Sequence, residues 1–317
     1  MDRKIRLRAA ILVCLLIFCL QSGVLNMVAA ALSQDEVLSM LLFLQTGRML
    51  HSVQPDPTVP EMPAQTQPAT TAPTAPPATP TFSPDELVDV QYFCDYRPDL
   101  EALLTKKTDL SLRSDDPTVL IVHSHATESY AGTDGYRSLD EQENMIAIGS
   151  EIARVLEDRG IPVLHDKTCH DHPDYDSSYA NARSTIRGYL EEYPSIQMVL
   201  DIHRDASDDT AGQLITSATV GGQKSAQLMM VVGTDAGGNH HPDWQDNLSL
   251  ALKLSAVLEQ ENPGICRPVS LRSERFNMDL TAGSLLVEVG AAGNTLQEAR
   301  IAANALAQAI AALADGA

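Results

Sequence analysis

Val119-Leu120-Ile121-Val122 runs directly into His123-Ser124-His125-Ala126-Thr127-Glu128, and this stretch decides the fold. Four consecutive apolar residues with no polar alternation read as a strand covered on both faces. That is the pattern of a largely parallel sheet flanked by helices. The same construction recurs twice. Met198-Val199-Leu200-Asp201-Ile202 runs into His203-Arg204-Asp205, and Leu285-Leu286-Val287 carries Glu288 before Val289-Gly290. Open α/β sheets gather ligands outside the carboxyl ends of their strands, where these polar residues stand. Imidazole and carboxylate bind Zn²⁺ in catalytic sites, three protein ligands leaving one position for water. A further carboxylate can serve that water as general base. Two histidines, an acidic ligand and a spare glutamate are therefore a sufficient kit for a zinc hydrolase.

Outward from these strands the chain alternates. Ile161–Leu164 and Leu228–Val232 are further strand-like runs. Met145, Ile148, Ile152 and Val155 recur at helical spacing within Asp140–Arg159, where Asp140 and Glu143 read as a capping box and Gly160 as the stop. Tyr179–Tyr193 and Trp244–Glu261 are also helical, and Thr295 with Glu298 opens a last Ala- and Leu-rich helix ending near Gly316. Residues 90–317 thus form one α/β domain with its core inside an alternating strand–helix order.

Of His123 and His125, one is taken as the metal ligand. His125 is preferred because it lies past the strand beside Glu128, which leaves His123 to support the ligands from behind or to face the transition state. His203 stands in the charged setting Asp201-Ile-His-Arg-Asp205, where buried charges demand partners. Glu288, between two valines, is desolvated and its pKa raised toward that of a useful base. Its competing reading is half of an ion pair with Arg272 or Arg275. Glu141 is the alternative acidic ligand, although a helix N-terminus explains that residue without a metal. Arg204 either orients a substrate carboxylate or forms a structural ion pair. The loop Cys169-His170-Asp171-His172 reads as a cleft wall, and His240-His241 as a turn.

The first 84 residues are of another kind. Residues 1–8 are a basic start and 9–32 an almost wholly apolar anchor, which places the rest of the chain on the exported side of the cell membrane. A cleaved signal peptide is the alternative, with Ala29-Ala30-Ala31 as its small-residue site. Residues 33–53 pattern as a juxtamembrane amphipathic helix. Residues 54–84 hold ten of the eighteen prolines among many threonines and form a disordered, extended spacer. At roughly 3.1 Å per residue it reaches several nanometres from the bilayer, a length suited to a wall-like target. The formal charge of −20 disfavours nucleic acid as a partner. The three cysteines outside the apolar segment lack a CxxC and are read as thiols without a metal. No G-x-S-x-G elbow, P-loop or dinucleotide fingerprint occurs.

His123-Ser-His-Ala-Thr-Glu-Ser-Tyr130, Gly160-Ile-Pro-Val-Leu-His-Asp-Lys-Thr168, Tyr193-Pro-Ser-Ile-Gln197, Asp201-Ile-His-Arg-Asp-Ala206, Asn277-Met-Asp-Leu280 and Leu286-Val-Glu-Val-Gly290 occur in this order. Through them the chain resembles the stage II sporulation protein P family over most of 118–300. The resemblance implies a cell-wall amidase-like fold and a zinc-dependent N-acetylmuramoyl-L-alanine amidase that also cleaves peptide cross-links. It implies action in forespore engulfment, with sporulation proteins D and M as partners. His203 and Glu288 match positions that bind zinc and assist catalysis in related amidases, whereas the acidic ligand is Glu128 or Glu141. The expected set is thus zinc on His125, Glu128 and His203, with Glu288 as base. A zinc carboxypeptidase and a non-catalytic wall-binding scaffold are the competing functions.

Overall fold

A computed structural model describes residues 88–107, 110–132, 136–206 and 214–316, within a compact unit spanning Pro77–Ala317. The expected anchor (9–32), juxtamembrane helix (33–53) and spacer (54–84) lie outside the described residues. Among those described, no helix is long and apolar enough to cross a membrane.

Among the described residues, nine strands and five α-helices follow in chain order, beginning with β1 Val90–Tyr92, α1 Leu100–Thr105, β2 Val119–Val122, α2 Met145–Asp158, β3 Val163–His165, α3 Ser178–Glu192 and β4 Met198–Asp205. The chain continues with β5 Ala218–Val220, β6 Gln223–Ser225, β7 Leu228–Val232, α4 Trp244–Glu261, β8 Val269–Leu271, β9 Ser284–Ala291 and α5 Leu296–Ala314. Seven strands form one sheet in the order β1-β8-β7-β9-β4-β2-β3, and β5–β6 form a separate hairpin. Every pairing in the large sheet is parallel except β7 with β9. The expected α/β architecture, a mostly parallel sheet between helices, is what the chain adopts.

Alternation along the strands splits the interior in two. Val119, Ile121, Leu200, Ile202 and Val287 face the larger core, which they share with Ile148 and Ile152 of α2, Leu248 of α4 and Leu306 of α5. Leu120, Val122 and Val199 face the other way, against Ile186 of α3. Both faces are buried, which is why these strands are apolar without a break.

The expected helix from Asp140 begins instead at Met145, capped by the Asn144 side chain, which accepts from the Ile146 N–H at 2.9 Å. Asp140 accepts from Gln142 two residues on, so it closes a turn and caps no helix. At the other end Gly160, with φ +75°, takes the left-handed conformation that stops α2. The reciprocal Thr295–Glu298 capping box at α5 is formed. The strand expected at Ile161–Leu164 is shorter and later, Val163–His165, because Pro162 has no N–H for the ladder.

Candidate functional site

β2, β4 and β9 are neighbours, and their carboxyl ends bring the polar runs together. In the β4–β9 register His203 lies beside Glu288. Val199, Asp201 and His203 share a parity, so the latter two face the α3 side of the sheet with Val199. The loop after β2 curls over that side. Donor atoms of His125, Glu128 and His203 there lie within 4.8 Å of one another, and all three residues are buried.

The orientation of each ring is fixed from outside the cluster. His203 Nε2 donates to Asp201 at 2.8 Å, and Asp201 is held by the Ser124 N–H and hydroxyl at 2.8 and 2.6 Å. His125 Nε2 meets the Ser178 hydroxyl at 3.0 Å, at the start of α3. Both Nδ1 atoms therefore turn to Glu128, at 3.5 and 3.6 Å. An imidazole whose far N–H is held by a carboxylate is oriented for metal binding. Two imidazole nitrogens and a carboxylate, converging with outer partners in place, fit Zn²⁺.

Charges in the cluster are interdependent. Burial pushes the His203 pKa down, but Asp201, Glu128 and Glu288 outweigh it and raise it to about 10. Burial likewise opposes ionisation of Asp201, yet His203 and Ser124 bring it to about 2. Burial raises Glu128, and His125, His203 and Arg204 together leave it below the usual carboxylate range. Glu288 behaves differently. Burial, with Glu128 and Asp205 adding to it against His203 and Arg204, raises it to about 8. Its Oε2 is enclosed and has no hydrogen-bond partner. Arg272 pairs with Glu274 and Arg275 with Asp279, so neither forms the ion pair considered for Glu288.

Three expected residues stand elsewhere. Glu141 is exposed and lies 3.8 Å from Lys167, away from the cluster. His123 has the parity of Ile121 and falls on the opposite face, under α2, at 0% exposure. Its Nδ1 donates to the Ile202 carbonyl at 3.0 Å and its Nε2 lies 2.9 Å from His165 Nε2, with Gly149 packed against both rings. Burial lowers His123 to about 4 and His165 to about 3, so the pair is neutral. Such a residue offers no surface to a substrate, which corrects the substrate-facing role expected for His123. Arg204, 4% exposed, gives its Nε to the Ser129 carbonyl and its Nη2 to the Tyr136 carbonyl, at 2.9 and 2.7 Å. Its backbone N–H also donates to Glu128 at 3.2 Å. Arg204 thus holds the loop that carries Glu128, and the substrate-orienting role expected for it has no exposed group to perform it.

Aromatic residues complete the site, and sequence reasoning missed them. Tyr175 stacks on His125 with ring centroids 4.6 Å apart, and Tyr179 meets His125 edge-on at 5.2 Å and lies parallel to His203 at 6.3 Å. Their four-residue spacing about the start of α3 was the available signal. The Cys169–His172 loop lies alongside, as expected of a wall: Asp171 accepts from the Thr127 N–H, and His170 Nδ1 meets the His123 carbonyl at 3.0 Å. Cys94, Cys169 and Cys266 are free thiols.

The chain is 29% identical over 209 residues to Stage II sporulation protein P of Bacillus subtilis (strain 168), a match covering 61% of this chain and 50% of that one. This chain therefore spans about half the length of that relative. Among solved structures it is similar to an N-acetylmuramoyl-L-alanine amidase from Clostridium difficile 630, at 12% identity and a TM-score of 0.42, over 64% of this chain and 99% of that one. It is also similar to the N-acetylmuramoyl-L-alanine amidase AmiC2 of Nostoc punctiforme, at 14% identity and a TM-score of 0.37, over 62% and 93%. The sequence profile of Stage II sporulation protein P (SpoIIP) matches residues 61–311, most of the chain, and the chain belongs to that family.

Proposed function

We propose that this chain is a zinc-dependent peptidoglycan hydrolase, an N-acetylmuramoyl-L-alanine amidase that also opens peptide cross-links. The carrying observation is the buried His125–Glu128–His203 cluster with Glu288, whose Oε2 is enclosed without a partner, on the adjoining strand. His125, Glu128 and His203 would hold the metal. Bound zinc supplies Lewis acidity, lowering the pKa of water and polarising the scissile carbonyl. Asp201 keeps the Nε2–H of His203 in place and so presents Nδ1 to the cluster. Glu288 takes a proton from the attacking water and returns it to the leaving amine. Burial raises its pKa out of the ordinary carboxylate range, toward that of a useful base.

Family membership supports a role in sporulation, and from it we extend the proposal to forespore engulfment with sporulation proteins D and M. The apolar segment 9–32 supports a single-pass attachment to the cell membrane with the domain on the exported side. The test is zinc content. His125→Ala, Glu128→Ala and His203→Ala each lose zinc, and Glu141→Ala keeps it. Full zinc occupancy in Glu128→Ala with loss in Glu141→Ala would reverse the ligand assignment.

A further inference from the structure

We propose that Arg137, in the cleft beside Tyr175, binds a carboxylate of the substrate peptide; this rests on the peptidoglycan reading above. A cleft of about 300 Å³ is lined by Arg137, Leu139, Asp171, His172 and Tyr175 among others. Tyr175 is its shared wall with the candidate metal cluster. One contact of that ring is His125 at 4.6 Å, and another is the Arg137 guanidinium, 4.2 Å from the ring centroid. The cleft therefore opens one aromatic ring away from the candidate zinc ligand.

The cation is held in position. Arg137 Nη1 donates to Asp171 at 2.7 Å and to the Thr127 hydroxyl at 3.1 Å. Asp171 has a side chain at 0% exposure, whereas that of Arg137 is 41% exposed. Arg204 is buried and spent on backbone carbonyls, whereas Arg137 presents an exposed guanidinium to the cleft. Stacking on Tyr175 leaves the rim of the planar group open, and a guanidinium fork matches a carboxylate in two-point geometry. A formal charge of −20 repels anions in general, so an anionic peptide needs a local cation. The surroundings suit a peptide as well. Leu139 and Tyr175, two of five large hydrophobic side chains left exposed among the described residues, line this cleft.

A lysine-type stem peptide offers two carboxylates, that of D-glutamate near the glycan and that of the C-terminus. The test uses the full chain with N-acetylmuramoyl-L-alanyl-γ-D-glutamyl-L-lysyl-D-alanine and two analogues, each with one of these carboxylates amidated. Calorimetry reads binding, and chromatography reads peptide release. One amidation lowers affinity or kcat/KM by about tenfold or more, the loss expected of a charge-assisted hydrogen bond, and identifies the carboxylate bound. Arg137→Gln lowers the parent peptide to the level of that analogue and removes the discrimination. Arg137→Lys keeps the ion pair with Asp171 but lacks the fork, so it shows reduced discrimination and carries the test if the Gln variant does not fold. Wild-type indifference to both amidations, or undiminished discrimination in a folded variant, overturns the subsite. Discriminating binding without release would defeat the hydrolase reading and leave the subsite standing; release without discrimination does the reverse.

Discussion

Glu288 shows how one residue's environment separates catalyst from scaffold. Its Oε2 is enclosed without a partner, and its pKa stands at about 8 against an ordinary 4.5. The folded protein therefore binds more protons than the unfolded chain between those values. Stability contributed by the neutral carboxyl is present at low pH and lost as pH rises toward 8. In metal-free protein, wild type should lose more unfolding free energy between pH 5 and pH 8 than Glu288→Gln does. Equal losses in denaturant titrations would contradict the enclosed, unpaired carboxyl. In the zinc-loaded protein Glu288→Gln should keep its metal and lose at least about 100-fold in turnover, the usual worth of general acid–base assistance. Loss of about 3–5 kcal/mol of stability with near-normal turnover would instead mark a broken ion pair. His125, Glu128, His203 and Glu288 were legible because polar residues after apolar runs are costly and so conspicuous. The fates of His123 and Arg204 were not, since the cover of α2 over one face and a carbonyl-lined burial site exist only once the elements are packed together.

At the scale of elements, α2 carries a glycine against its own propensity. A helix interior ordinarily favours Ala over Gly by roughly 0.5–1 kcal/mol. At Gly149 an added Cβ would stand 2.5 Å from His165 Nε2 and 2.6 Å from His123 Nε2. Both rings are held, so the substitution must push them or the helix aside. Gly149→Ala is expected to destabilise by about 1–3 kcal/mol, the usual cost of overpacking. A lower denaturant midpoint at unchanged slope is the expected reading, and a stabilised variant would show that the His123–His165 pair yields freely. The long elements were readable: α4 and α5 carry several turns of periodicity, and β2 and β7 are bounded apolar runs. β1 and β8, of three residues each, carry too little pattern to stand out. The false start at Asp140 came from a spacing that also closes a turn.

For the molecule as a whole, composition sets the proposed tether apart from the proposed catalytic domain. The proposed site draws on residues 123–288 alone, so removal of residues 1–84 should leave hydrolysis of purified wall intact. In cells the same truncation should leave the membrane fraction and act weakly, having lost its local concentration there. An inactive but folded truncation would place part of the machinery in the first 84 residues. The mostly parallel sheet followed from uninterrupted apolar strands, but the reversal between β7 and β9 depends on pairing that no single segment encodes.

The central claim is that His125, Glu128 and His203 hold a zinc ion on which wall hydrolysis depends. The most direct measurement is mass spectrometry of fragments released from purified sacculi, with zinc per chain measured in the same samples before chelation, after it and after zinc is restored. The account predicts one zinc per chain, release of stem peptides cut from muramic acid, loss of release on chelation and its return with zinc. Undiminished release from fully chelated protein would contradict it.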